Sequence, residues 1–402
     1  MQPLVTWPDH VVATPGRWPQ LDALRAALDG SGPAIMPVAG TSHDALEHRE
    51  VPDDVALVVR TSGSGGDPRA VLLTASALLT SAAATHERLG GPGRWVLALP
   101  LAHIAGIQVL VRSVASGTEP AVLPGGRFDP RQGADVVRAA LAPGRPLYAS
   151  LVPTQLHRIL AACGEDGALP ADLRSWADVD AILVGGAAAA PSLLARARRA
   201  GLAVVTTYGM TETCGGCVYD DVPLAGIRVR ADDDVLEIAG PVLARGYLDR
   251  PDLDATAFRT VEGTRWLRTP DAGVVADGRV RVLGRLDDVI VTGGAKVAPA
   301  AVEGALAAEP GVDQVCVVGV RDAEWGRLVT AVVVPTAGGP TPTLAALRDA
   351  VARTLGPAAA PRRLVVVDAL PHRGPGKVDR AACKRLAADA ASGVAPRSER
   401  ST

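Results

Sequence analysis

TSGSGGDPRAV, residues 61–71, decides how the rest of the chain is read. Before it lies VALVV (55–59), a short apolar run that reads as a buried strand. After it lies TASALLTSAAATHERLG (74–90), which reads as a helix. Strand, glycine loop and helix together form a geometry that holds phosphate. Glycines let backbone N–H groups converge on an anion, and the dipole of a following helix adds to the attraction. Thr61, Ser62 and Ser64 offer hydroxyls, Gly63 and Gly66 offer bare backbone, and Arg69 offers a cationic fork for phosphate oxygens. The stretch carries neither GxxxxGK[ST] nor GxGxxG. Taken alone, an ordinary glycine-rich surface loop explains it equally well.

Working outward, short apolar runs alternate with helical ones from residue 55 to about 207. WVLALP (95–100), YASLV (147–151), AILVGG (181–186) and AVVTTYG (203–209) read as strands, and HIAGIQVLVRSVASG (103–117) as a helix. Continuous apolar strands with helical crossovers predict an α/β fold of mostly parallel sheets covered by helices. Between 225 and 284 the runs shorten and alternate, which predicts a β-rich subdomain. A new unit opens near 284. It runs helix (299–308), strand (313–320), strand (328–335), helix (343–355), strand (363–368) and helix (378–390), a small α+β domain. The expected domains are therefore 1–284 and 285–390, with a disordered tail over 391–402.

Composition sets limits on function. The chain has 402 residues, enough for two domains, and 48% of them are hydrophobic, enough for a core. A net charge of −2 argues against a nucleic-acid binder. No run of about 20 apolar residues suggests a membrane span, and MQPLVTWPDH does not look like a secretory signal. Five scattered cysteines form no disulfide framework, which fits a reducing cytoplasm.

Three further stretches accompany the glycine loop: TYGMTE (207–212), GRLDDVIVTGGAKV (284–297) and PHRGPGKVDR (371–380). The four, in this order and at this spacing, resemble the acyl-adenylate-forming superfamily of acyl-CoA synthetases, luciferases and adenylation domains. The resemblance covers about residues 55 to 385. LPLAHIAGIQVLVRS (99–113) and YGMTETCGGCVYD (208–220) further resemble the short actinobacterial o-succinylbenzoate–CoA ligase family.

That resemblance implies a large N-terminal domain, a small mobile C-terminal domain and a two-step reaction. A carboxylate attacks the α-phosphate of ATP, and the thiol of coenzyme A then displaces AMP. It implies ATP, Mg²⁺ and coenzyme A as reactants and an aromatic carboxylate as substrate, in menaquinone biosynthesis. Lys377 would reach both the carboxylate and the α-phosphate. Glu212 would be the magnesium carboxylate, Thr211 the α-phosphate hydroxyl and Tyr208, beside Gly209, the ring near adenine. Gly185, Gly186 and Ala187 would run along adenine. Asp271 would bind the ribose hydroxyls and Arg285 the ribose or phosphate. Asp287 would be the hinge, Lys296 would lie near the coenzyme A channel, and His103 would gate the acyl pocket.

The chain also departs from the family pattern. Gly65, Arg69 and Ala70 stand where relatives carry threonine, lysine and glycine, Pro270 replaces a glycine before Asp271, and only about 60 residues precede the loop. Cys214 and Cys217 read as small residues lining an acyl pocket, with a redox pair as the weaker alternative. Gln108 and Arg112 lie on a helix where polar residues are usually solvated. Other aryl or acyl ligases, a stand-alone adenylation enzyme and a catalytically weak nucleotide-binding regulator remain alternatives. A homodimer also stays open.

Overall fold

The computed structural model describes residues 1–8, 18–38, 46, 49–61, 69–164, 167–336, 338–373 and 377–391. The chain divides into two compact units. The first comprises Met1–Ala189, Arg196–Thr269 and Val274–Arg281, and the second Ala190–Ala195, Pro270–Gly273 and Val282–Thr402.

Two large sheets form the core of the first unit. One has six strands, in the order Gly246–Tyr247, Arg69–Thr74, Val55–Thr61, Ala34–Val38, Gln2–Pro8 and Glu50–Val51. The first 51 residues, to which the sequence reading gave no elements, thus supply half of its strands. The other has seven, in the order Val222–Pro223, Gly215–Tyr219, Val204–Met210, Ala181–Val184, Leu147–Leu151, Arg94–Leu97 and Ala121–Val122. From Val204–Met210 to Ala121–Val122 the neighbours run parallel, with Ala149 opposite Ile182 and Val205 opposite Leu183. Three of the five, Arg94–Leu97, Leu147–Leu151 and Ala181–Val184, read as short apolar runs, as strands buried on both faces do.

Helices Ala75–Leu89 and Ile104–Ala115 share one core with both sheets. Leu57, Val71 and Leu73 of the first sheet and Trp95, Tyr148 and Leu183 of the second join Leu78, Ile107 and Leu110 in a single buried cluster. Residues 106 to 113 of the second helix are all buried. A helix that is apolar nearly all round has no solvent face, so the expectation of solvated Gln108 and Arg112 is overturned. Both are buried to within a few percent.

A further sheet carries Arg228–Asp232, Val235–Ala239, Thr264–Ala276 and Phe258–Val261, with Arg279–Arg285 on its long strand. Asp233 and Asp234 both have positive φ, the two-residue turn whose twist suits a tight hairpin. Helix Pro251–Ala257 interrupts this otherwise β-rich stretch.

The second unit holds a three-stranded sheet. Val312–Asp322 pairs antiparallel with Gly326–Pro335, which pairs parallel with Arg363–Val366. Strand alternation divides its core in two. Val317, Val329 and Val333 pack with Val302, Leu306, Leu347 and Val351. Cys316, Val318, Val332 and Val334 pack with Cys383 and Ala387 of helix Arg380–Ala391.

Candidate active site

Two strands flank the glycine stretch. Val55–Thr61 pairs antiparallel with Arg69–Thr74, and Thr61 lies opposite Arg69. Ser62, Gly63, Ser64 and Gly66 lie outside the described residues. The expected passage from loop straight into helix is corrected: strand Arg69–Thr74 intervenes, and the helix starts only at Ala75, capped by the Thr74 side chain. The N-terminus of that helix is therefore six residues of strand away from Arg69.

The second part of the site is the turn after strand Val204–Met210. Thr211–Thr213 forms one short helical turn. The Thr213 hydroxyl closes it, accepting from Met210 N at 2.9 Å and donating to Gly215 O at 2.7 Å. Cys214 then adopts a left-handed backbone with φ 52°. Its carbonyl accepts from Gln108 Nε2 at 2.6 Å and from Ser81 Oγ at 3.2 Å. Glu212 is held at both ends. Its carbonyl accepts from Ala244 N at 2.8 Å, and its carboxylate from Tyr247 Oη at 2.8 Å. Burial, with Glu212 next, raises the Tyr247 phenol well above its ordinary range, so the hydroxyl keeps its proton and acts as the donor.

Glycines let this turn lie close to its neighbours. A Cβ on Gly209 would meet Gly215 O at 2.1 Å, and one on Gly185 would meet Thr207 Oγ1 at 2.1 Å. Gly185 and Gly186 follow strand Ala181–Val184, which pairs with Val204–Met210. The structure thus brings Gly185 and Gly186 up to the strand that carries Tyr208 and leads to Thr211 and Glu212. Thr211 is buried, Glu212 and Tyr208 are half-buried, and Ala187 is exposed. His103 is exposed at the N-cap of helix Ile104–Ala115.

The remaining predicted residues belong to the second unit. Asp271 is buried on strand Thr264–Ala276. Arg285 ends a strand and pairs with Asp287 at 3.1 Å. Lys296 is exposed on the hairpin of Ile290–Thr292 and Ala295–Val297. Lys377 lies opposite Arg373 in a short hairpin, where only its backbone is described.

The sequence reading missed two features. Tyr247 lies 35 residues beyond Glu212, and nothing local marks it as a partner. The other is a buried polar network. Arg112 Nη2 donates to Tyr219 Oη at 3.3 Å, Thr85 Oγ1 meets the same oxygen at 3.0 Å, and Trp95 Nε1 donates to His86 Nε2 at 3.2 Å. Cys214 and Cys217 are buried beside it as free thiols. Burial pushes the Cys217 thiol up to about 12 and the Cys214 thiol further still. Raised pKa values and burial make both poor thiolates, which favours the reading of small packed residues over a redox pair.

Comparison with known proteins agrees with this geometry. Residues 11–248 match the AMP-binding enzyme family, and residues 301–377 match the AMP-binding enzyme C-terminal domain. The chain belongs to the AMP-binding enzyme family. Among its relatives, the probable 2-succinylbenzoate–CoA ligase of Mycobacterium tuberculosis (strain ATCC 25618 / H37Rv) is 45% identical over 386 residues, 94% of this chain and 97% of the relative. The 2-succinylbenzoate–CoA ligase of Enterococcus faecalis (strain ATCC 700802 / V583) is 29% identical, over 86% of this chain and 72% of the relative. Among solved structures, the o-succinylbenzoate CoA synthetase of Bacillus subtilis in complex with its acyl-adenylate intermediate superposes with a TM-score of 0.69 at 25% identity. That match covers 91% of this chain and 81% of the other.

Proposed function

We propose that the protein is an AMP-forming ligase that joins 2-succinylbenzoate to coenzyme A at the expense of ATP, in menaquinone biosynthesis. The observation that carries the reading is the 45% identity to a probable 2-succinylbenzoate–CoA ligase across nearly the whole of both chains. In support, a solved relative of this fold is a synthetase holding its acyl-adenylate.

The chemistry sets two anions against each other, so the protein must neutralise charge and hold the attack in line. Arg69, beside the glycine stretch, takes phosphate oxygens. Thr211 offers its hydroxyl to the α-phosphate, and Gly185, Gly186, Ala187 and Tyr208 with Gly209 accommodate the adenine. Asp271 and Arg285 take the ribose, Asp287 serves as hinge, Lys296 lies toward coenzyme A, and His103 borders the acyl group. Glu212 holds magnesium. The donor set fits that ion: a half-buried carboxylate beside a hydroxyl suits a cation that keeps waters and phosphate oxygens as its other ligands. When bound, the ion neutralises phosphate charge. No helix among the described residues is long and apolar enough to cross a membrane, and we place the reaction in the cytoplasm.

The test is AMP release by purified protein with ATP, Mg²⁺ and coenzyme A across a panel of acids. Coenzyme A-dependent turnover with 2-succinylbenzoate alone is expected. Turnover with another acid overturns the substrate, and no AMP release with any acid overturns the ligase. Lys377→Ala is expected to lower acyl-adenylate formation on the order of 10²–10³-fold, as loss of a transition-state charge does. Thioester formation from supplied acyl-adenylate should survive. Equal losses in both half-reactions would sink the role given to Lys377.

A further inference from the structure

Glu212 is the only acidic side chain of its turn, yet it does not stand free. Tyr247 Oη donates to Oε1 at 2.8 Å, and among the described residues no side chain bonds Oε2. Tyr247 is itself fixed on every side. It is buried to 5% exposure, and its strand Gly246–Tyr247 pairs with Arg69–Thr74, placing Tyr247 opposite Val71. On either side of it Arg245 N donates to Leu72 O and Leu248 N to Ala70 O, each at 2.8 Å. Its own N–H donates to Asp254 Oδ1 at 2.8 Å. The Arg69 guanidinium lies 5.9 Å from the centre of its ring. One rigid ring therefore touches both the carboxylate and the cation that flanks the glycine stretch.

We propose that Tyr247 is a positioning residue that aims Glu212 at the magnesium ion of the bound nucleotide and ties that carboxylate to the strand carrying Arg69. The proposal rests on the nucleotide reading given under Proposed function. Its physical basis is common to metal sites. A partner that bonds one atom of a ligating group fixes its orientation, and losing that partner costs about 10–100-fold in metal affinity. Here the tyrosine takes one oxygen of the carboxylate and leaves the other for the cation. A free carboxylate would rotate about its last torsion, whereas a bonded one presents a single edge. The same hydroxyl belongs to a strand hydrogen-bonded to that of Arg69, so Glu212 and Arg69 keep a fixed relation.

The test uses the full chain and Mn²⁺ as a spectroscopic substitute for magnesium. Binding of Mn²⁺–ATP to the protein is followed by the enhancement of water-proton relaxation over a Mn²⁺–ATP control without protein. The wild type is compared with Tyr247→Phe, Glu212→Gln and the double variant, with thermal melting to confirm that each is folded. Tyr247→Phe removes one oxygen and keeps the buried ring. It is expected to weaken Mn²⁺–ATP binding roughly tenfold. Glu212→Gln should weaken it at least as much, and the double variant no more than Glu212→Gln, because the tyrosine acts only through the carboxylate. In turnover, the loss should appear in the metal dependence and not in the KM for coenzyme A. Wild-type binding with an unaffected Tyr247→Phe variant overturns the proposal alone, as do losses that add in the double variant. Wild-type protein that takes up no Mn²⁺ with ATP overturns the nucleotide reading and the proposal with it.

Discussion

Two arginines, Arg112 buried in the first unit and Arg380 half-buried in the second, are stabilised by opposite means. Arg112, in the core of the first unit, has no carboxylate partner among the described residues. Its guanidinium lies 4.7 Å from the Trp95 ring centre and donates to Tyr219 Oη, while its Nε has no partner there. Burial lowers its pKa. Arg380, in the second unit, bonds both oxygens of Glu303 at 2.6 and 3.1 Å, and its Nε lies 3.2 Å from Asp288. Burial opposes its charge too, but the Glu303 carboxylate more than offsets this and raises its pKa. An aromatic face tolerates a cation where nothing else is charged. A carboxylate fork makes the cation a crosslink. Arg380 joins its own helix to helix Pro299–Leu306 through Glu303 and to strand Val312–Asp322 through the Val317 carbonyl at 2.6 Å.

The comparison breaks most visibly at Arg380. Arg380→Met strands Glu303, a mostly buried carboxylate whose other bond is from Val317 N at 2.7 Å. Removing one member of such a pair costs about 3 kcal/mol, because the partner's charge stays in place unmatched. Denaturant melts of the second unit should register this, and a loss below about 1 kcal/mol would show that the fork is not a crosslink. Adding Glu303→Met should recover part of the loss, since two apolar groups replace a pair more cheaply than one does.

Arg112→Met is the corresponding change in the first unit, and a smaller effect is expected. It strands no carboxylate. The lost stacking on Trp95 and the lost bond to Tyr219 are offset by relief of a desolvated charge. Stability within about 1 kcal/mol of wild type is expected. A loss matching that at Arg380 would mean that the aromatic face stabilises the cation as strongly as a carboxylate fork does.

What could be read from the sequence follows the range of the interactions. The parallel strands were legible because burial on both faces writes a continuous apolar run, as in AILV (181–184). The strand expected at 313–320 in the second unit was legible from VCVVGV for the same local reason. Strand Arg69–Thr74 was not, because its apolar AVLL runs without a break into TASALL, and only Thr74, the N-cap, marks the change. The burial of Gln108 and Arg112 was missed because polar side chains four apart on a helix usually define its wet face, and here Cys214 and Tyr219 of the neighbouring chain segment accept from them inside the core. The Tyr247–Glu212 bond was invisible because strand pairing, not spacing, brings the two together. YGMTE, by contrast, was legible as a local turn.

The finest test of the comparison is the histidine beside Arg112. Burial, and after it the Arg112 charge, lowers the His86 pKa from 6.5 to about 4. The folded protein therefore keeps His86 neutral where the unfolded chain would protonate it. As pH falls from 6.5 toward 4 the unfolded state binds a proton that the folded state refuses, so stability from this residue is complete above pH 6.5 and is lost through that window. His86→Phe should flatten the slope of stability against pH there. In Arg112→Met the slope should shrink only in part, because burial, the larger cause, remains. A slope left unchanged by Arg112→Met would mean that Trp95 and Tyr219 screen the cation from its neighbour. A slope abolished by it would mean that the unpaired charge of Arg112, rather than burial, governs the titration of the first unit's core.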